Sequence, residues 1–136
     1  MLFRSDPQAV PALIKALGNS DSAVRRAAAW ALGKLGDPQA VPALIQALGD
    51  DKFWVRAAAA EALGKLGDPQ AIPALIKALG HRYSAVRRAA ARALGELGDP
   101  QAVPALTERL QDESGDVRKA AQAAIQQIQA KQSGKG

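Results

Sequence analysis

Residues 6–36 read DPQAVPALIKALGNSDSAVRRAAAWALGKLG, and variants of this 31-residue phrase follow three more times. The tetrapeptide DPQA opens each copy, at Asp6, Asp37, Asp68 and Asp99, so the chain divides into units 6–36, 37–67, 68–98 and 99–129. Units one and three differ at only six of 31 positions. Copying on this scale conflicts with a fold held by long-range contacts. It suits a stack in which each unit touches only its neighbours.

Each unit reads as two helices. Asp6 is a good N-cap, and Pro7 fits the first helical position, where its missing N–H costs nothing. Val10, Leu13, Ile14 and Leu17 follow at helical spacing, and Gly18 is placed to stop the helix. Pro11 lies one position past the first turn and is expected to loosen or kink it. A second helix begins near Asp21 or Ser22, carries Val24, Ala28, Leu32 and Leu35 on its packed face, and ends at Gly36. Gly33, Gly64 and Gly95 fall inside the second helices, where a missing side chain lets neighbouring helices approach closely. The 31 alanines and the 4% aromatic content fit such close helix packing.

The pattern D-P-x-A-V-x-A-L-I-x-A-L followed by V-R-x-A-A-x-A-L-G-x-L-G, present four times over residues 6–129, resembles the HEAT-like repeats first grouped with phycobilisome lyases. It is similar, too, to designed alphaRep proteins. The resemblance implies an all-α, right-handed α-α superhelix (an α-solenoid) of four helix pairs, with second helices on a concave, partner-binding side. It also implies an Asp–Arg ladder with Arg six positions after Asp. That spacing is met at Asp50–Arg56 and Asp112–Arg118, and not at Asn19–Arg25 or His81–Arg87. Arg25, Arg56, Arg87 and Arg118 are therefore expected to be structural.

Comparing the units separates framework from payload. The first helices scarcely change before unit four, whereas the inter-helix turns and one stripe of each second helix do. The variable columns are Arg26/Ala57/Arg88, Trp30/Glu61/Arg92 and Lys34/Lys65/Glu96. With Ala23, Trp54 and Ala85 ahead of them, they recur three or four residues apart and share one helix face. Trp30, Phe53, Trp54 and Tyr83 all sit in variable places, and Trp and Tyr with Arg dominate binding hot spots. The expected partner-binding residues are Arg26, Trp30, Phe53, Trp54, Glu61, Tyr83, Arg88 and Arg92, with Phe53 and Tyr83 at the rim. They favour a protein or peptide with an acidic and apolar surface, bound without catalysis.

Other classes fit less well. No apolar run is long enough to span a membrane, and no leader precedes the repeats, so a cytoplasmic protein is expected. The chain has no cysteine, and its only histidine is His81, followed by Arg82. Deoxyhypusine hydroxylase, which has HEAT-like repeats, uses paired His-Glu motifs for iron, and these are missing here. No catalytic, metal or cofactor residues are assigned. The adjacent Asp50 and Asp51 read as N-capping carboxylates, and His81 as a solvated turn residue. A net charge of +5 gives a modest preference for acidic partners. Nucleic-acid binding through Arg26, Arg88 and Arg92 and a bilin-lyase-related fragment are the weaker alternatives.

The ends of the array differ. Unit four replaces framework residues with Thr107, Gln111, Gln122, Gln126 and Gln129, which reads as a C-terminal cap, followed by a flexible tail over 130–136. Unit one keeps its apolar framework. Its outer edge would leave Val10, Leu13 or Ala28 uncovered unless Leu2 and Phe3 shield them. A self-associating structural module, pairing two copies through this edge as a homodimer, is the main competing reading. A longer natural array or a designed one would show the same edge.

Overall fold

The computed structural model describes residues 8–134, and within them the chain forms eight α-helices stacked as four pairs. The first helices are α1 (Ala9–Ala16), α3 (Val41–Ala47), α5 (Ile72–Ala78) and α7 (Val103–Glu108). The second helices are α2 (Ser22–Leu35), α4 (Phe53–Leu66), α6 (Ser84–Leu97) and α8 (Gly115–Ser133). The expected capping by Asp6 and Pro7, and cover from Leu2 and Phe3, lie outside the described residues.

In units two to four the Asp-Pro start caps a 3-10 turn instead of the α-helix. Asp37, Asp68 and Asp99 each accept the N–H two residues on at 2.9 Å, and turns Pro38–Ala40, Pro69–Ala71 and Pro100–Ala102 precede α3, α5 and α7. The α-ladder therefore begins anew at Val41, and Pro42 occupies its first turn, where no N–H is needed. The kink expected at this proline is thus spent as a change of helix type ahead of it. The same holds for Pro73 and Pro104.

The second helices begin and end as their residues dictate. Asp21 accepts the Ala23 N–H at 2.9 Å, and Gly36, Gly67 and Gly98 close α2, α4 and α6 in the left-handed region at φ of 73°, 70° and 72°. In unit four the matching residue is Gln129, and α8 runs past it to Ser133. The flexible tail expected from Ala130 is helical through Ser133, because the glycine that stops the other second helices is absent. Lys131 Nζ reaches the Leu97 carbonyl at 3.5 Å. Gly18 has no such left-handed role: α1 leaves through a tight Gly18 N–H to Lys15 O bond of 3.0 Å, and Gln111 takes the equivalent place in unit four.

The core runs as a strip between the two helix layers. Leu32, Leu44, Leu63, Leu75, Leu94 and Leu106 are fully buried, each worth roughly 1.5–3 kcal/mol of transfer free energy. Second helices pack side by side. A Cβ on Gly33, Gly64 or Gly95 would lie 2.9 Å from the Cα of Ala62, Ala93 or Ala124 on the next second helix. The same glycine-on-alanine contact recurs at all three junctions.

The first unit departs from this regularity. Val55, Val86 and Val117 are 0–1% exposed, yet Val24 is 38% exposed, with no helix among the described residues stacked ahead of α2. Val10 and Ala28 are buried and Leu13 is half-buried, and the cover expected from Leu2 and Phe3 lies outside the described residues. Gln122, Gln126 and Gln129 at the other end of the array are exposed. No helix among the described residues is long and apolar enough to cross a membrane.

Candidate interaction groove

Side-by-side packing of α2, α4, α6 and α8 leaves their variable stripes along one groove of about 870 Å³. Its floor is alanine, with Ala57, Ala85, Ala89, Ala120, Ala123 and Ala124 contributed by three helices. Its walls carry Arg26, Trp54, Glu61, Lys65, Arg88, Arg92, Glu96 and Gln127, with Phe53 beside Trp54. The repeat explains this arrangement: small residues keep the helices close, and the residues three and four positions apart stand out along one face.

Trp54, in the first turn of α4, is 36% exposed. Its Nε1–H donates to Ser22 Oγ in the preceding repeat at 3.2 Å, and Lys52 Nζ lies 5.8 Å from its ring. Phe53 meets Trp54 edge-on at 5.1 Å and stacks obliquely on Tyr83 at 4.7 Å. An aromatic cluster thus bridges repeats two and three at one margin of the groove. Tyr83 joins it through Phe53 without lining the groove itself. Trp30 stands apart: it is 57% exposed, does not line the groove, and has Lys34 Nζ 5.5 Å from its ring.

Of the eight residues expected from the sequence, six line the groove: Arg26, Phe53, Trp54, Glu61, Arg88 and Arg92. Lys65, Glu96 and Gln127 join them from the same helical column, and Gln127 was legible as its fourth member. Among the described residues, none of the groove charges of Arg26, Glu61, Lys65, Arg88, Arg92 and Glu96 takes part in an ion pair within 4 Å. Four cations and two carboxylates therefore line an apolar floor with their charges uncommitted.

The structural arginines behave differently from the expected ladder. The carboxylate partner is 25 residues ahead, in the next repeat. Arg25 gives Nε and Nη2 to Asp50 at 2.8 and 3.0 Å, and Arg87 does the same to Asp112 at 2.8 and 2.9 Å. The six-residue spacing marks a contact to backbone. Arg25 Nη1 donates to Asn19 O, Arg87 Nη1 to His81 O, Arg118 Nη1 to Asp112 O and Arg56 Nε to Asp50 O. The two units that seemed to lack the ladder, one and three, are those whose arginines hold a carboxylate.

These pairs lower both carboxyls. The hydrogen bond from Arg87 holds the Asp112 carboxyl below its usual range against the opposing pull of burial, with help from the Ser114 N–H and Arg109. Burial raises Asp50, and Arg25 with the Lys52 N–H outweighs it, leaving the carboxyl lowered. Asp50 is thus an ion-pair partner and not the expected helix cap, and α4 starts with no side-chain cap. Exposed Asp51 meets Arg25 Nη2 at 3.1 Å. His81 is half-buried and not a freely solvated turn residue. Its Nδ1 accepts the Tyr83 N–H at 3.2 Å, and burial with Arg56, Arg82 and Arg87 lowers its pKa.

Eight helices in stacked pairs with arginine–carboxylate rungs between them now stand beside a sequence match. A family model for HEAT repeats matches residues 3–59 and again 41–126. The chain belongs to the HEAT-repeat family. Among solved HEAT-like structures, a chain of the complex of CpcE and CpcF of phycocyanin lyase from Nostoc sp. PCC7120 is 36% identical with a TM-score of 0.83. The match covers 95% of this chain and 56% of that one. Human deoxyhypusine hydroxylase is 28% identical with a TM-score of 0.78, over 93% of this chain and 45% of that one. An engineered protein is 26% identical with a TM-score of 0.71, over 88% and 62%. This HEAT-repeat chain thus spans about half the length of the first two. No curated protein sequence matches it significantly. Among the described residues, no three His, Cys, Asp or Glu side chains converge as metal ligands.

Proposed function

We propose that this HEAT-repeat chain is a non-catalytic scaffold whose second-helix groove binds a segment of another protein. The observation that carries this reading is the groove itself: an alanine floor beside a half-exposed Trp54, ringed by six charges with no ion-pair partner among the described residues. An apolar side chain of the partner fills the space over the alanines, and its carboxylates meet Arg26, Arg88 and Arg92 in charge-assisted hydrogen bonds. Glu61 and Glu96 select against uniformly acidic segments. The similar lyase chain is found in a complex of two proteins, CpcE and CpcF, which supports a protein partner.

The test is selection of displayed random peptides on the full chain, followed by calorimetry of the best binder. Trp54→Ala and an Arg88→Ala/Arg92→Ala pair are each expected to weaken binding by about tenfold or more. Trp30→Ala, away from the groove, is expected to change it less than twofold. A binder that tolerates the groove substitutions removes this reading.

Self-association through the first repeat is a second reading, favoured by the 38% exposure of Val24 against 0–1% at its counterparts. Sedimentation velocity over a range of concentrations tests it. A dimer that Val24→Glu converts to monomer supports it, and a wild-type chain that stays monomeric rules it out.

A further inference from the structure

The arginine–carboxylate rungs are interrupted once, at the junction of repeats two and three. Arg25 and Arg87 on either side each hold a carboxylate from the next repeat through Nε and Nη2. The residue 25 positions beyond Arg56 is His81. His81 performs half of the aspartate's task. Its Nδ1 accepts the Tyr83 N–H, as Asp50 accepts the Lys52 N–H and Asp112 the Ser114 N–H. With Nδ1 accepting, the neutral ring carries its proton on Nε2 and offers a donor in place of a negative charge.

Arg56 responds by turning Nε to the Asp50 carbonyl, and among the described residues neither of its Nη atoms donates a hydrogen bond. The carboxylate of Asp50 is committed to Arg25. The two Nη atoms of this half-buried guanidinium stay open to solvent, since no side-chain nitrogen or oxygen is both buried and unpartnered among the described residues, so they are free to donate to a ligand entering beside them. Beside it lies a cleft of about 530 Å³, lined by Arg56, Lys77, His81 and Gln46 against apolar Ile45 and Val86. Among the described residues, no Asp or Glu lines this cleft. The neighbouring cleft of about 430 Å³, at the junction of repeats three and four, balances Arg82, Arg87 and Arg109 with Glu108, Asp112 and Glu113.

We infer that the cleft between repeats two and three is a carboxylate-binding site, in which an external carboxylate takes the place of the missing aspartate on Arg56, with Lys77 and the His81 ring as further donors. The flanking junctions argue for a carboxylate, because the same scaffold already seats one in the arginine fork at 2.8–3.0 Å. The site shares no lining residue with the second-helix groove, so it stands or falls separately from the function proposed above.

The test measures thermal unfolding of the full chain at constant ionic strength, with sodium malonate, a blocked tetra-aspartate peptide or phosphate replacing chloride. Malonate at ten times its dissociation constant is expected to raise the wild-type midpoint by about 4 °C. His81→Asp, which restores the internal carboxylate, is expected to unfold at a higher temperature than wild type and to lose the malonate response. Arg56→Gln loses the response as well. The Arg56 Nε–Hε NMR signal is expected to shift saturably with malonate, giving a local readout even if Arg56→Gln folds poorly. A response to malonate assigns the site to free small carboxylates. A response to the peptide alone assigns it to an acidic side chain of a protein partner. Equal responses in all three proteins, no response to either carboxylate, or a stronger saturable response to phosphate would overturn the inference.

Discussion

Repeats one and three are almost the same sequence, yet they are not the same environment. Val24 is 38% exposed where Val86 is 1% exposed, and Leu13 is half-buried where Leu75 is fully buried. Arg25 and Arg87 make the same fork to the next repeat's aspartate, with Asp51 an added partner of Arg25, but the side-chain exposures of the Arg87–Asp112 pair are 7% and 2% against 12% and 9% for Arg25–Asp50. In a linear stack a residue's energetic weight is conferred by the repeats on either side.

Paired substitutions can break or sharpen that comparison. The largest difference is expected from Leu75→Ala, which should cost about 3 kcal/mol in chemical denaturation, against about half that for Leu13→Ala. Equal losses would mean that both leucines are equally enclosed in solution. Next comes the buried rung. Asp112→Asn leaves Arg87 without its counter-charge and should cost about 2 kcal/mol, less than a fully interior pair because solvent still reaches the network. Asp50→Asn should cost less.

The rungs also set the acid limb of stability. Both carboxyls are lowered in the folded state, so their contribution is complete above the unfolded value near ~4 and drains away as pH falls through the folded values. Asp112→Asn should flatten that limb more than Asp50→Asn does, as read from melting temperature against pH. Val86→Ala should cost about 1.5 kcal/mol and Val24→Ala under about 0.5 kcal/mol. The smallest effect belongs to His81. Its pKa is lowered in the fold, so stability should rise with pH between the folded value and the unfolded one near ~6.5. His81→Gln should remove that slope.

The repeat and its helix pairs were legible because their signals are local. Asp21 and Gly36 mark the ends of α2, and the glycine-on-alanine contacts follow from Gly33, Gly64 and Gly95. The first helices were misread because two prolines four residues apart, such as Pro38 and Pro42, compete for one helix start. The chain resolves this with a 3-10 turn. The rungs were misread for a different reason. A six-residue spacing is visible along one unit, whereas the true partner is a full repeat less six residues ahead and becomes a neighbour only after stacking. The groove followed from comparing units, since Arg26, Arg88 and Glu61 stand in the columns that vary. Trp30 was grouped with them because a single helix face cannot reveal that the groove is centred on repeats two to four.

The bond from Trp54 to Ser22 joins an indole in one repeat to a hydroxyl in the one before. The length of this link follows the spacing of repeats one and two at that joint. With Trp30→Phe, the remaining indole becomes a built-in reporter: its emission would follow the spacing of repeats one and two.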